Sequence, residues 1–236
     1  MDTINALCEV LRSVDGIHFD MDGSLVNSET AWYNSEMELL RNYGVTLPRE
    51  DIRAITQTEL VGRGQKFAAR FYKEKFNLSA PVNEILRRRV GLVKQYYGSA
   101  PLMAGAEEML DAVNDKGYRI TLATSAPLDL ARIFIEKHGF EGIFDAVVTD
   151  DHTERSKPYP DIFLKAAEDV GVSPKRSLVV EDSKNGLLAA KEAGMYCLLI
   201  PNSQLSNLTG SILDEADVVL ESLDQLDFVE LEMCLT

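Results

Sequence analysis

Six short apolar runs, rich in β-branched residues, punctuate this chain, and their spacing constrains the fold more than any other feature. They are Ile17-His18-Phe19, Ile120-Thr121-Leu122-Ala123, Ala146-Val147-Val148, Leu178-Val179-Val180, Cys197-Leu198-Leu199-Ile200 and Val218-Val219-Leu220. Runs this short and this continuous in apolar character predict strands buried on both faces. Between them, helical periodicity covers Ala106 to Lys116, Leu128 to His138, Ile162 to Val170 and Asn185 to Ala193. The first, second and fourth of these close on Gly117, Gly139 and Gly194, where a left-handed cap is expected. Strand alternating with helix implies βαβ units with right-handed crossovers, and so an α/β fold built on a doubly wound parallel sheet.

One stretch breaks the alternation. Residues 28–99 carry no strand pattern but three helix-like segments, Glu29 to Tyr43, Glu59 to Phe76 and Val82 to Tyr97. An all-helical block inserted after the first strand is expected to form a cap domain over residues 28–99, with residues 1–27 and 100–236 forming the α/β core. The hinges fall near Val26 to Ser28 and Gly98 to Met103.

A chain of 236 residues buries roughly 70% of its unfolded surface and needs neither disulfides nor a structural metal to fold. Cys8, Cys197 and Cys234 are odd in number, far apart and without a Cys-x-x-Cys pair, so neither a disulfide framework nor a zinc site is expected. The first fifteen residues lack a signal-peptide core, and no apolar run approaches the ~18 residues a membrane span demands, so the expectation is a cytoplasmic protein. A monomer is expected. With 38 acidic against 24 basic side chains the net charge is −14, which argues against nucleic acid and membrane as partners. An anionic substrate also meets an unfavourable field, unless some local group reverses its sign.

In open α/β sheets ligands bind beyond the carboxyl ends of the strands. The first strand ends in Asp20-Met21-Asp22-Gly23-Ser24, the second in Thr124-Ser125 and the fourth in Glu181-Asp182-Ser183, with Ser156-Lys157-Pro158 in the loop ahead of the fourth. Four carboxylates, a hydroxyl and a lysine therefore converge on one rim. Without a counter-ion such carboxylates repel and are driven to protonate. A hard divalent cation resolves the conflict, and Mg²⁺ is the ordinary choice where carboxylates and a phosphate share the coordination.

These residues, in this order and spacing, resemble the haloacid dehalogenase superfamily in its phosphatase and phosphomutase branch. The likeness rests on Asp20-Met21-Asp22-Gly23-Ser24-Leu25-Val26, on Thr124 after an apolar strand, on Lys157-Pro158, and on Glu181-Asp182 followed by Ser183, Asn185 and Gly186. Ser24 stands where that family usually has threonine, which keeps the hydroxyl. The helical block is similar in length and helicity to the caps of the β-phosphoglucomutase-like subgroup. Glu192-Ala193-Gly194-Met195, Ile200-Pro201-Asn202 and Leu205-Ser206 are similar to the pseudouridine-5′-phosphatase and sugar-phosphate phosphatase relatives.

The resemblance implies a Rossmann-like core and a Mg²⁺-dependent phosphatase acting on a small phosphorylated metabolite, either a sugar phosphate or a nucleoside 5′-phosphate. Asp20 is then the nucleophile that forms an aspartyl-phosphate, and Asp22 the acid and base for leaving group and water. Mg²⁺ is held by Asp20, Asp22 through its main-chain carbonyl, and Asp182, with Glu181 beside or behind them. Lys157, the Thr124 hydroxyl and the Ser125 backbone N–H receive the phosphoryl oxygens.

Of the cap residues, Arg63, Lys66 and the run Arg87-Arg88-Arg89 are in a position to reach a substrate, with Arg63 and Arg88 as the substrate-binding candidates; arginines at helical spacing are as readily a solvated face. Trp32 and Met103 read as packing residues, and His18, His138 and His152 as structural. A β-phosphoglucomutase-like sugar-phosphate mutase is the first alternative. The resemblance implies for it a polar run after the second motif and a histidine near the first, where this chain has Ala126-Pro127-Leu128 and Trp32. A non-catalytic sugar-phosphate-binding protein is the second, though it has no use for Asp20, Asp22, Lys157 and Asp182 together. A dehalogenase needs no second aspartate, and Asp22 is present.

Overall fold

A computed structural model of the chain describes residues 3–201, 208 and 210–234. Six strands form one sheet: β1 (Gly16–Phe19), β2 (Arg119–Thr124), β3 (Ala146–Thr149), β4 (Ser177–Glu181), β5 (Tyr196–Leu199) and β6 (Val218–Val219). Their order is β3-β2-β1-β4-β5-β6 and every neighbouring pair is parallel. Successive strands step outward from β1 to one side and then from β4 to the other. The switch point between β1 and β4 is where a doubly wound sheet opens its crevice.

The helices of the core are α1 (Thr3–Ser13), α6 (Ala106–Asp115), α7 (Leu128–His138), α8 (Asp161–Val170), α9 (Lys184–Glu192) and α10 (Phe228–Cys234). Gly117, Gly139 and Gly194 follow their helices at φ of 77°, 74° and 74°. Gly171 does the same for α8, at 71°, so all four of these helices end on a left-handed glycine.

Alternate strand residues feed opposite layers, as the two-residue pleat requires. Ile17, Phe19, Ile120, Leu122, Leu178, Val180 and Leu198 pack into the cluster shared with α1, α6 and α7, whereas Ala123, Val148, Val179, Cys197 and Leu199 pack against α8 and α9.

Between β1 and α6 lie α2 (Glu29–Asn42), α3 (Arg49–Ile55) running into a π-helical turn (Thr56–Leu60), α4 (Gln65–Lys75) and α5 (Val82–Tyr97). They enclose a hydrophobic cluster of their own around Leu39, Leu40, Ala69, Tyr72 and Ile85. The single helix expected from Glu59 to Phe76 is broken. Gly62 takes φ +70° and Gly64 an extended conformation at φ −66°, ψ 159°, so the chain turns at Val61 to Gly64 before α4 starts.

The block joins the core through two segments that pair with each other. Val26 bridges Leu102, Asn27 N–H donates to Pro101 O at 2.8 Å, and Met103 N–H donates to Leu25 O at 2.9 Å.

The cysteine expectation needs correction: Cys8 and Cys234 form a disulfide across a sequence separation of 226. Helices α1 and α10 pack together beside β6 and α6, so distance along the sequence misleads about distance in space. Cys197 is a free, buried thiol. Among the described residues no helix is long and apolar enough to cross a membrane. Asn202, Leu205 and Ser206 lie outside the described residues.

Candidate active site

Asp20 follows β1 directly, its N–H donating to Val180 O at 2.9 Å and so extending the parallel ladder by one residue. Met21 is fully buried in the core, which turns Asp20 and Asp22 toward the rim. The chain then reverses, with Val26 N–H donating to Met21 O at 3.0 Å and Gly23 N–H to Val26 O at 2.9 Å. Gly23 sits at φ +93°, and a Cβ there would stand 2.0 Å from Asp182 Oδ2. Conformation and the carboxylate both exclude a side chain, so Gly23 lets Asp182 lie against the turn that carries Asp20 and Asp22.

Lys157 is buried between two of the acids, with Nζ 2.6 Å from Asp20 Oδ1 and 2.5 Å from Glu181 Oε1. The other oxygen of Glu181 accepts from Asp182 N–H at 3.0 Å, from Ser183 N–H at 2.9 Å and from the Ser183 hydroxyl at 2.9 Å. A Cβ on Gly186 would fall 1.8 Å from the Glu181 carboxyl carbon, so that glycine makes room for the same group. Both oxygens of Glu181 are thus taken, and the residue holds Lys157 and the start of α9 in place. Ser183 caps α9, accepting from Gly186 N–H at 3.0 Å.

Charge at the rim is unbalanced. Burial pushes Asp20 up to about 8; Lys157 pulls it down, and Glu181 and Asp22 raise it further. Burial also drives Asp182 well above the carboxylate range, with Glu181 and Asp20 adding to it. Burial disfavours the Lys157 ammonium, but Asp20 and Glu181 outweigh this and its pKa stands above the ordinary lysine value. One ammonium faces Asp20, Asp22, Glu181 and Asp182. A surplus of negative charge, with the Asp182 carboxylate packed against Gly23 in the turn that carries Asp20 and Asp22, fits a hard divalent cation.

Asp22 stands outside the Lys157 ion pairs. Its Oδ1 accepts from the Ser28 hydroxyl at 2.5 Å, from Tyr97 Oη at 2.7 Å and from Trp32 Nε1 at 3.1 Å. Burial raises its pKa, and the three donors oppose that. Ser28, Trp32 and Tyr97 all belong to the helical block or its entry. Trp32 is therefore more than the packing residue its composition suggested, and Tyr97 carried no signal in the sequence.

Thr124 is fully buried at the end of β2, its Oγ1 accepting from Ala126 N–H at 3.0 Å, and Ser125 follows on the cleft wall.

The cleft between core and helical block holds about 860 Å³, part of it open to solvent, and Asp20, Asp22, Thr124, Ser125, Glu181, Asp182 and Arg63 all line it. Arg63 lies over the Phe67 ring at 4.2 Å. Arg88 does not belong here. It pairs with Glu84 one turn away at 2.8 Å and leans on Tyr43, on the outer face of α5. Its neighbour Arg89 takes the inward position instead, 4% exposed and bonded to Glu36 at 2.7 Å; at 3.6 residues per turn, one step of the arginine run changes the face. Lys66 is exposed.

The segment Val61 to Gln65 seats the block on the rim. Asn185 Nδ2 donates to Val61 O at 2.8 Å, and Gln65 Nε2 lies 3.4 Å from Ser125 O. A Cβ on Gly62 would come 2.4 Å from Ser183 Oγ, and one on Gly64 would come 1.9 Å from Asp150 Oδ2. The three histidines are structural: His18 contacts Thr121, His138 packs on Phe134 and Phe140, and His152 Nδ1 accepts from Thr149 N–H.

Residues 17–200 match the profile of the haloacid dehalogenase-like hydrolases. The chain is 34% identical over 204 residues to a protein of Drosophila melanogaster named "Probable pseudouridine-5′-phosphatase", covering 84% of this chain and 86% of that one. It is 28% identical over 220 residues to hexitol phosphatase B of Escherichia coli strain K12, with coverages of 91% and 95%. Among solved structures it is similar to CbbY from Rhodobacter sphaeroides in complex with phosphate, at TM-score 0.78 and 26% identity, over 91% of this chain and 96% of that one.

Proposed function

Since the chain belongs to the haloacid dehalogenase-like hydrolases and is a phosphoric monoester hydrolase, we propose that it is Mg²⁺-dependent, works through an aspartyl-phosphate on Asp20, and takes a sugar phosphate or nucleoside 5′-phosphate. The observation that carries this reading is the division of labour within one turn: Asp20 is ion-paired to Lys157, whereas Asp22, two residues on, is held outside that pair by three neutral donors. Two carboxylates in different environments are what nucleophilic and acid-base roles need.

A carboxylate oxygen of Asp20 attacks phosphorus as the bond from phosphorus to the alcohol oxygen breaks, and protonated Asp22 gives its proton to that oxygen. Asp22, now a carboxylate, takes a proton from water, which attacks phosphorus, frees Asp20 and yields inorganic phosphate. Lys157, Thr124 and the Ser125 N–H bind the remaining phosphoryl oxygens, and Glu181 keeps Lys157 in reach. Asp20, Asp182 and the main-chain oxygen of Asp22 are the groups that would hold Mg²⁺, and a bound Mg²⁺ would supply positive charge to offset nucleophile and phosphoryl group together. Among the described residues no three acid, histidine or cysteine side chains are grouped to hold a metal ion, so a main-chain oxygen would have to join the two aspartates. Ala126 is buried and Pro127 precedes α7; no side chain there is suited to a second phosphate, which supports hydrolysis over isomerisation. The helical block acts as the cap.

p-Nitrophenyl phosphate turnover with and without Mg²⁺ tests the mechanism. Asp20→Asn is expected to lose on the order of 10³-fold or more in kcat. Asp22→Asn is expected to lose about 10²-fold or more with an alkyl phosphate and far less with the nitrophenyl ester, whose leaving group needs no proton. Turnover without metal, or turnover that survives Asp20→Asn, overturns it. Glucose 6-phosphate formed from β-glucose 1-phosphate would show a mutase.

A further inference from the structure

The cap side of the cleft contains three arginines, and two are already neutralised. Arg89 Nη2 bonds Glu36 Oε1 at 2.7 Å, with Glu36 fully buried and Arg89 4% exposed. Arg89 Nη1 bonds Gln65 Oε1, its guanidinium lies 4.5 Å above the Trp32 ring, and the second Glu36 oxygen accepts from Thr56 Oγ1 at 2.7 Å. Arg53, also on the cleft wall, donates twice to Glu29, at 2.6 and 3.0 Å. Arg63 stands on the Val61 to Gln65 segment at the seam with the core, beside the phosphoryl end of the cleft. On the cap wall over Trp32, the charges cancel inside the protein.

We propose that the buried Glu36–Arg89 pair is a specificity device: it closes the cap wall of the cleft to a second anionic group, so that the enzyme takes monophosphates whose remaining body is neutral. This rests on the phosphatase reading and narrows its substrate class. A second phosphate or a carboxylate has to compete with Glu36 for Arg89, and winning leaves Glu36 buried with no counter-ion, which is the costly way to break a buried pair. A hydroxyl pays no such penalty.

The test compares kcat/KM for glycerol 3-phosphate and glucose 6-phosphate with that for 3-phosphoglycerate and fructose 1,6-bisphosphate, with p-nitrophenyl phosphate alongside. The neutral-bodied substrates are expected to lead by at least about tenfold. In Glu36→Gln, where Arg89 regains an unpaired charge, the anionic-to-neutral ratio is expected to rise by at least about tenfold in protein shown by circular dichroism to be folded. Equal or better turnover of the anionic pair by the unaltered enzyme overturns the proposal without help from any variant, and so does an unchanged ratio in folded Glu36→Gln. Failure to hydrolyse any of the esters, the nitrophenyl compound included, overturns instead the phosphatase reading beneath it.

Discussion

His18 lies in the middle of β1, fully buried, with Nδ1 2.8 Å from the Thr121 hydroxyl. Burial moves its pKa from 6.5 down to about 4, so the folded chain holds a neutral imidazole. Unfolding returns the ring to water, where it binds a proton the native state refuses. The stability tied to the neutral ring is complete above pH 6.5 and is withdrawn as pH falls from 6.5 to 4, a total of about 3 kcal/mol. Urea titrations at about pH 7.5 and about pH 5 are expected to show a loss some 2 kcal/mol larger in the native protein than in His18→Gln; equal losses would refute the assignment. At this scale the sequence was most informative where residue type and strand end coincide. Asp20, Asp22, Thr124, Lys157 and Asp182 could be placed because each follows a strand or precedes a helix. The roles of Trp32, Tyr97 and Glu36 could not, and the arginine run did not say that Arg89 is its inward member, since their partners lie up to 75 residues away and only packing brings them together.

Elements tell the same story in a different way. Strands buried on both faces are written as short apolar runs, and the glycines that end α6, α7 and α9 mark their helices. The turn at Val61 to Gly64 was not legible, because what breaks the helix there is the fit of two glycines against Ser183 and Asp150. That fit makes Gly64 a probe of cap seating. Its backbone is unstrained, so alanine disturbs only the contact with Asp150 and Ser156. Gly64→Ala is expected to raise KM about tenfold or more while shifting Tm little, because misplacement of positioning groups is costly. Gly98→Ala, where a Cβ meets nothing within 4 Å, is expected to leave KM unchanged. Equal effects from both would mean that contact at Gly64 has no part in closing the cleft.

For the whole molecule, the surplus of 14 negative charges first argued against any anionic partner. The buried acids Asp20, Glu181 and Asp182 contribute to it, and they surround Lys157 at the rim. With Mg²⁺ saturating, raising salt from about 50 to about 500 mM is expected to leave kcat/KM unchanged or slightly higher, because the outer field repels the substrate and is screened. A steep fall would mean that the cap arginines attract substrate from a distance. The pairing of Cys8 with Cys234 could not be read from the chain, because it depends on where α1 and α10 come to rest. The hydrogen-bonded junction at Val26 and Leu102 carries a further consequence. Seventy-odd residues leave the core and return to it at adjacent points, so the sheet meets the block as a closed detour with no net displacement. If the rim is catalytic as proposed, whatever replaces that detour would inherit it ready-made, and substrate preference could be rewritten, by design or by descent, without refolding the sheet.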